Sequence, residues 1–260
     1  QILIYRALGK DVPHFSHIPM ILGADRSRLS KRHGATSVID YKDLGYEPEA
    51  LRNYLALLGW GPETKEELMS RERLIELFSL DRVSTHGAIF NLEKLAWMNM
   101  EYIKKLSPDA LLDRVRPWLQ KLPGYPGGYG DSDLIKIAGL YRERMKTFNE
   151  IESQAGWYFA DPTEYDAKGL EKARKTEGWQ ALVADLVATV RQQPAFTAAA
   201  LEPLIRSFAE QRGRKAGEVI HLLRLGLSGC TATPGMFEVM EVLGVERCCR
   251  RLETFARLDA

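Results

Sequence analysis

The chain has 260 residues, 45% of them apolar and 27% charged, which excludes wholesale disorder and leaves room for two or three compact units. No stretch of about 18 uninterrupted apolar residues occurs, so no segment is expected to span a bilayer. Basic and acidic residues cancel to a net charge of +1, so no overall field draws a polyanion. The balance is uneven, however: residues 1–40 hold six Lys/Arg against three Asp/Glu, and an anion site is sought there first. Three cysteines without a Cys-x-x-Cys spacing suit neither a disulfide framework nor a tetrahedral zinc site, so reduced thiols in the cytoplasm and no metal site are expected.

The first ten residues lack the basic region and long apolar core of a signal peptide. An apolar opening without an initiating Met leads to the expectation of a fragment. Residues 1–9 read as a short helix stopped by a glycine cap. Residues 18–22 are β-prone, but Pro19 confines them to an edge strand or a strand start. Residues 26–32 pack four basic side chains around Leu29 and Ser30, and His33-Gly34 breaks the run. From Pro48 the signals are helical almost to the end. Pro48 suits a first helical position, with Leu51, Tyr54, Leu55 and Leu58 on one face and Gly59 closing the helix.

Further helices are expected at 71–80, at 92–106 behind an Asn91 cap, and at 110–122 after Ser107-Pro108. Residues 123–130, with four glycines and two prolines, form the strongest break. A helix capped by Asp131 or Ser132 then runs to about residue 151, putting Arg142 and Lys146 on one face and Arg144 on another. Helices follow at about 165–177, 178–192, 197–212, 215–227 and 234–257. Trp97, Trp118 and Trp179 are expected to be core or interdomain anchors. The fold class is therefore mainly α, with a small mixed α/β part at the N-terminus.

The order of residues in the basic segment carries more than its composition. Leu29-Ser30-Lys31-Arg32-His33-Gly34-Ala35 resembles the nucleotide-phosphate loop of class I aminoacyl-tRNA synthetases, in the form used by bacterial glutamyl-tRNA synthetases. The flanking text keeps that family's order: Phe15, His17 and Pro19 to Leu22 before the loop, then Gly45-Tyr46, Asn53-Tyr54, Gly59-Trp60, and Lys94, Trp97 and Asn99 after it. Leu223-Arg224, Ser228-Gly229 and residues 234–239 resemble the final helical domain. One departure is Arg28, at a lead position where lysine is common; it keeps the charge and changes the donor geometry.

The resemblance implies the C-terminal portion of such a synthetase, since the N-terminal nucleotide fold with its His-Ile-Gly-His-type motif has no counterpart here. It implies residues 1–106 as the end of the catalytic body and the tRNA stem-contact region, 107–162 as a first helical anticodon-binding domain and 163–260 as a second. It further implies Lys31 and Arg28 as catalytic cations, and Leu29, Ser30 and Lys31 as ATP-binding. Arg144, Arg142, Arg224, Thr233, Pro234 and Met236 are implied as tRNA- and anticodon-binding, with Met236 equally suited to filling the core. Phe15, His17 and Ile21–Leu22 would shape the adjoining wall, and Asn99 and Tyr102 would touch the tRNA stem or simply cap and pack. ATP is implied as a substrate accompanied by Mg2+, with glutamate and tRNA(Glu) as partners, no membrane, and a cytoplasmic monomer. The fragment alone is expected to be inactive. The alternative function is a stand-alone tRNA-binding module without catalysis.

Overall fold

The computed structural model describes residues 1–34 and 37–258, and it divides once, into Gln1–Tyr102 and Ile103–Ala260. Helix dominates both units, and the only sheet among the described residues has two strands. The architecture is mainly α, as the sequence leads one to expect.

In the first unit, α1 (Ile2–Ala7) ends where the amides of Gly9 and Lys10 return to the carbonyls of Arg6 and Tyr5, at 3.1 and 3.0 Å. The apolar run after Pro19 yields β1 (Ile21–Leu22), pairing in parallel with β2 (Ala88–Ile89), Ile21 opposite Ala88 and Leu22 opposite Ile89. A two-residue strand offers no alternation to read, which is why β2 escapes a sequence reading that is helical beyond Pro48.

Ser37 starts α2 (Val38–Asp43), an unexpected helix, with a reciprocal capping box: its hydroxyl accepts from the Ile39 amide and Asp40 accepts from the Ser37 amide. Pro48 opens α3 (Pro48–Leu57) at its first position, α4 is Arg71–Leu77, and α5 is Leu92–Lys105. Asn91 does cap α5, its Oδ1 accepting from Lys94 N at 3.0 Å, while its own amide donates to the Tyr54 hydroxyl at 2.6 Å. Tyr41, Leu51, Tyr54, Phe90, Leu95 and Met98 form the core, with the Tyr54 and Phe90 rings edge to face at 5.0 Å. Trp97 turns away from that core and is 39% exposed, contrary to the expected anchor.

The second unit holds ten helices among the described residues: α6 (Pro108–Leu119), α7 (Asp131–Tyr141), α8 (Glu150–Gln154), α9 (Gly156–Phe159), α10 (Ala167–Arg174), α11 (Trp179–Arg191), α12 (Ala198–Gln211), α13 (Ala216–Ser228), α14 (Met236–Leu243) and α15 (Val245–Ala256). One apolar core runs through them from Leu111 to Phe255; Trp179 lies inside it and Trp118 packs against it.

Two long expected helices are broken. The helix expected to reach residue 151 stops at Tyr141, and turns carry the chain to α8. There the Thr147 hydroxyl donates to Asn149 Oδ1 and Glu150 accepts from the Lys146 amide, local side-chain bonds that compete with the helix ladder. Arg142 and Lys146 therefore do not share a helix face. The helix expected over 234–257 divides at Gly244, whose φ of +76° is a conformation that side-chain-bearing residues avoid.

The glycine-rich break at 123–130 is tied down by α15. Arg247 donates to the carbonyls of Tyr158 and Gly127, at 3.0 and 2.6 Å, and lies over the Tyr129 ring. Its neighbours Arg250 and Arg251 both close on Asp161.

Candidate functional site

The basic loop grows out of β1. Its strand pairing ends at Leu22, and the chain doubles back so that Leu22 bridges Arg28. The turn is closed by Gly23 N to Ser27 O at 2.8 Å and Arg26 N to Gly23 O at 3.0 Å, with Arg26 at a φ of +61°. Asp25 anchors it, accepting from both the hydroxyl (2.8 Å) and the amide (3.0 Å) of Ser27. These bonds, with His33 beside them, hold the exposed Asp25 carboxyl down at about 2.

Leu29 fixes the far end of the loop: its amide reaches Ile21 O at 3.0 Å and its side chain packs on the first core. A single 3-10 turn, Lys31–His33, follows. Its backbone is described, whereas the Lys31 side chain and residue Ala35 lie outside the described residues.

His33 is central to this loop. Its Nδ1 accepts from the Ser30 amide at 3.1 Å, and its Nε2 stands 3.2 Å from Asp25 Oδ1. Arg32 adds a 2.7 Å bond to the Ser27 hydroxyl. Arg26, Arg28 and Arg32 are exposed around this hydrogen-bonded frame, so the loop presents guanidinium donors suited to phosphate oxygens. Beside it opens a pocket of ≈ 380 Å³, lined among others by Gly23, Leu29, His33, Tyr41, Phe90 and Asn91. Phe15 and His17 are exposed.

A second constellation forms in the other unit. Arg144, from the turns after α7, donates through Nη1 to the Thr233 carbonyl at 3.4 Å. Arg224, from α13, donates through Nε to the Thr233 hydroxyl at 3.1 Å, and that hydroxyl donates to Pro234 O at 3.0 Å. Two arginines singled out from separate stretches of sequence thus meet at one threonine, itself singled out. A guanidinium carries five N–H donors, so each arginine keeps donors for a ligand after serving Thr233.

The remaining candidates are placed differently. Met236 is 3% exposed and packs in the core, the filling role rather than a stacking one. Pro234 is buried beside it. Arg142 is half-buried, with no hydrogen-bond partner for Nε, and Lys146 is exposed. Asn99 is fully buried and accepts from the Glu47 amide at 2.7 Å, so it packs. Tyr102 likewise bonds inward, to Met69 O at 2.6 Å and Asn53 Oδ1 at 2.7 Å. Among the described residues, no three His, Cys, Asp or Glu side chains gather as a metal cage.

The sequence reading gave Asp25 no role and placed His33 in the loop by residue order alone. The Asp-x-Ser spacing was a readable Asx-turn signal. Nothing in the spacing of Asp25 and His33 announced their contact, which exists only once the chain doubles back.

Residues 110–256 match the anticodon binding domain family, and residues 1–97 match the family of tRNA synthetases class I (E and Q), catalytic domain. The glutamate–tRNA ligase of Moorella thermoacetica is 44% identical over 260 residues, covering 99% of this chain and 53% of the relative. Glutamate–tRNA ligase 1 of Syntrophomonas wolfei is 44% identical, covering 97% of this chain and 51% of its own length. Among solved structures, a glutamate tRNA ligase from Elizabethkingia meningosepticum in complex with its amino acid superposes with a TM-score of 0.88 at 29% identity, covering 99% of this chain and 54% of the other. The glutamate-tRNA synthetase of Elizabethkingia anophelis gives 0.83 at 30% identity, over 98% and 53%. The chain spans about half the length of the relatives it matches.

Proposed function

We propose that this chain, which belongs to the anticodon binding domain family, is the ATP-phosphate and tRNA-reading part of a glutamate–tRNA ligase. The ligase joins glutamate to ATP as an acyl-adenylate, releasing pyrophosphate, and then passes the acyl group to the terminal ribose of tRNA(Glu). Glutamate is already a carboxylate at neutral pH, so the step needs charge stabilisation on the phosphates rather than a general base. Lys31, assisted by Arg28, supplies it as negative charge develops on the departing pyrophosphate, with Leu29 and Ser30 shaping the loop. Magnesium arrives with ATP as part of the substrate.

In this reading residues 1–106 close the catalytic body and contact the tRNA stem, while 107–162 and 163–260 are the two helical anticodon-binding domains. Arg144 and Arg224 read the anticodon, Arg142 neutralises its backbone, and Thr233 and Pro234 form the loop against which it rests. The ligase is a cytoplasmic monomer.

The observation that carries this reading is the meeting of Arg144 and Arg224 on Thr233, within the stretch that matches the anticodon binding domain. Filter binding of this chain to tRNA(Glu) tests it. Salt-dependent binding that weakens when the third anticodon base is changed is expected. Binding indifferent to the anticodon would sink the assignment. The same chain should give no glutamate-dependent pyrophosphate exchange.

A further inference from the structure

We propose that His33 is the positioning residue of the phosphate loop: as the neutral Nε2–H tautomer it bridges the Asp25 carboxylate and the Ser30 amide. It thereby fixes the backbone that carries Ser30 and Lys31. This rests on the reading of the loop as the site of the ATP phosphates.

The tautomer follows from the donors around the ring. The Ser30 amide can only donate, and it stands 3.1 Å from Nδ1, so Nδ1 must present its lone pair. The Ser30 hydroxyl lies at the same 3.1 Å and can share that lone pair. The ring proton therefore sits on Nε2, 3.2 Å from Asp25 Oδ1. Asp25 remains an acceptor because its two bonds from Ser27 keep it ionised. The imidazole is 15% exposed and lies flat against Gly23, where a Cβ would stand only 2.7 Å from His33 Cδ2. Gly23 is thus required by the closeness of the ring.

The bridge closes a segment that contains Arg26, Arg28, Lys31 and Arg32, so the whole cationic run is pinned at both ends by one side chain. Its effect runs through Ser30, and from there into the 3-10 turn that begins at Lys31. Misplacing a charge-stabilising group by about 1 Å costs on the order of 10²-fold in rate, which sets the size of the effect.

Glutamate-dependent pyrophosphate exchange and tRNA affinity are measured in the full-length ligase carrying His33→Ala, His33→Asn or His33→Leu, with Lys31→Ala as reference. His33→Ala should lower exchange by about 10²-fold and leave tRNA affinity unchanged. His33→Asn, whose Oδ1 can accept from the Ser30 amide, should recover exchange to within about tenfold, whereas His33→Leu, with bulk and no acceptor, should not. A packing role predicts the opposite order, so recovery by leucine overturns the proposal, as does His33→Ala within about twofold of wild type beside a crippled Lys31→Ala. If Lys31→Ala itself exchanges normally, the phosphate-loop reading has failed and the proposal falls with it. Nitrogen NMR of the 260-residue chain checks the tautomer directly: pyridine-type Nδ1 and pyrrole-type Nε2 are expected for His33, and the reverse overturns the bridge.

Discussion

Arg224 Nε donates to the Thr233 hydroxyl at 3.1 Å, and the hydroxyl hands its own proton to the Pro234 carbonyl at 3.0 Å. The side chain that orients the arginine is therefore itself oriented by the next residue's backbone. Thr233→Val keeps the shape, removes the hydroxyl and leaves the Arg224 guanidinium without that acceptor. A hydrogen bond to a charged group contributes about 1.5–3 kcal/mol, so tRNA(Glu) affinity should fall roughly 10-fold or more. Helix α13 should be intact by circular dichroism. Unchanged affinity would mean that Arg224 reaches its ligand without help from Thr233.

Lys31→Ala tests the other unit. In the full-length ligase, loss of this donor should slow adenylate formation by about 10²–10³-fold, the usual cost of removing one preorganised charge stabiliser. Affinity for tRNA should hardly move, because in the proposed reading the charge acts on ATP. Pyrophosphate exchange within about twofold of wild type would withdraw Lys31 from the chemistry.

Asp161 gives a prediction about stability. Arg250 grips its carboxylate with two bonds, at 2.9 and 3.0 Å, and the buried Arg251 adds a third at 2.8 Å. Arg251 also donates to the carbonyls of Leu227 and Ala160, so its charge is fully enclosed. The Arg250 bonds foremost, and Arg251 after them, hold the Asp161 carboxyl below its ordinary value. Stability from this group is therefore present above the unfolded carboxylate range and lost as pH falls through the lowered folded value. Asp161→Asn should destabilise by about 2 kcal/mol, less than the 3–5 typical of a fully buried pair because Asp161 is half-exposed. It should also flatten the acid limb of the stability curve. Urea melts at neutral pH and at about pH 3 provide the check; equal pH dependence in both proteins would contradict the linkage.

Helix existence was legible wherever capping chemistry and apolar spacing agreed. Pro48, Asn91 and Ser107 each begin helices where their side chains predict. Helix length was less legible, because Gly244 sits inside a run that is otherwise uniformly helical in composition, and the turns after Tyr141 depend on local bonds from the Lys146 amide to Glu150 and from the Thr147 hydroxyl to Asn149. The basic loop could be found from its residue order, but not the His33–Asp25 bridge that frames it, since that contact is created by a turn. Met236 shows the limit from the other side: a flexible apolar residue reads alike as a stacking platform or a core filler, and only burial decides.

Arg144 carries the prediction about specificity. Its bond to the Thr233 carbonyl is 3.4 Å long, at the outer edge of hydrogen-bond range, so little is lost when the guanidinium turns toward a base. Cytosine offers a carbonyl and a ring acceptor, which suit guanidinium donors. Arg144→Gln should therefore reduce discrimination between tRNA(Glu) and tRNA(Gln) more than it reduces charging overall. A good base contact is worth about 1–3 kcal/mol, so the preference should fall roughly 5–150-fold. An arginine that only holds phosphate behaves otherwise: both tRNAs weaken alike and the salt dependence of binding flattens. Lys146→Ala, exposed on the same turns, is the control for that behaviour. The measurement is the ratio of charging efficiencies for the two tRNAs by the full-length ligase at fixed salt. An unchanged ratio with both efficiencies reduced would return Arg144 to backbone positioning, and anticodon discrimination would then have to come from Arg224 alone.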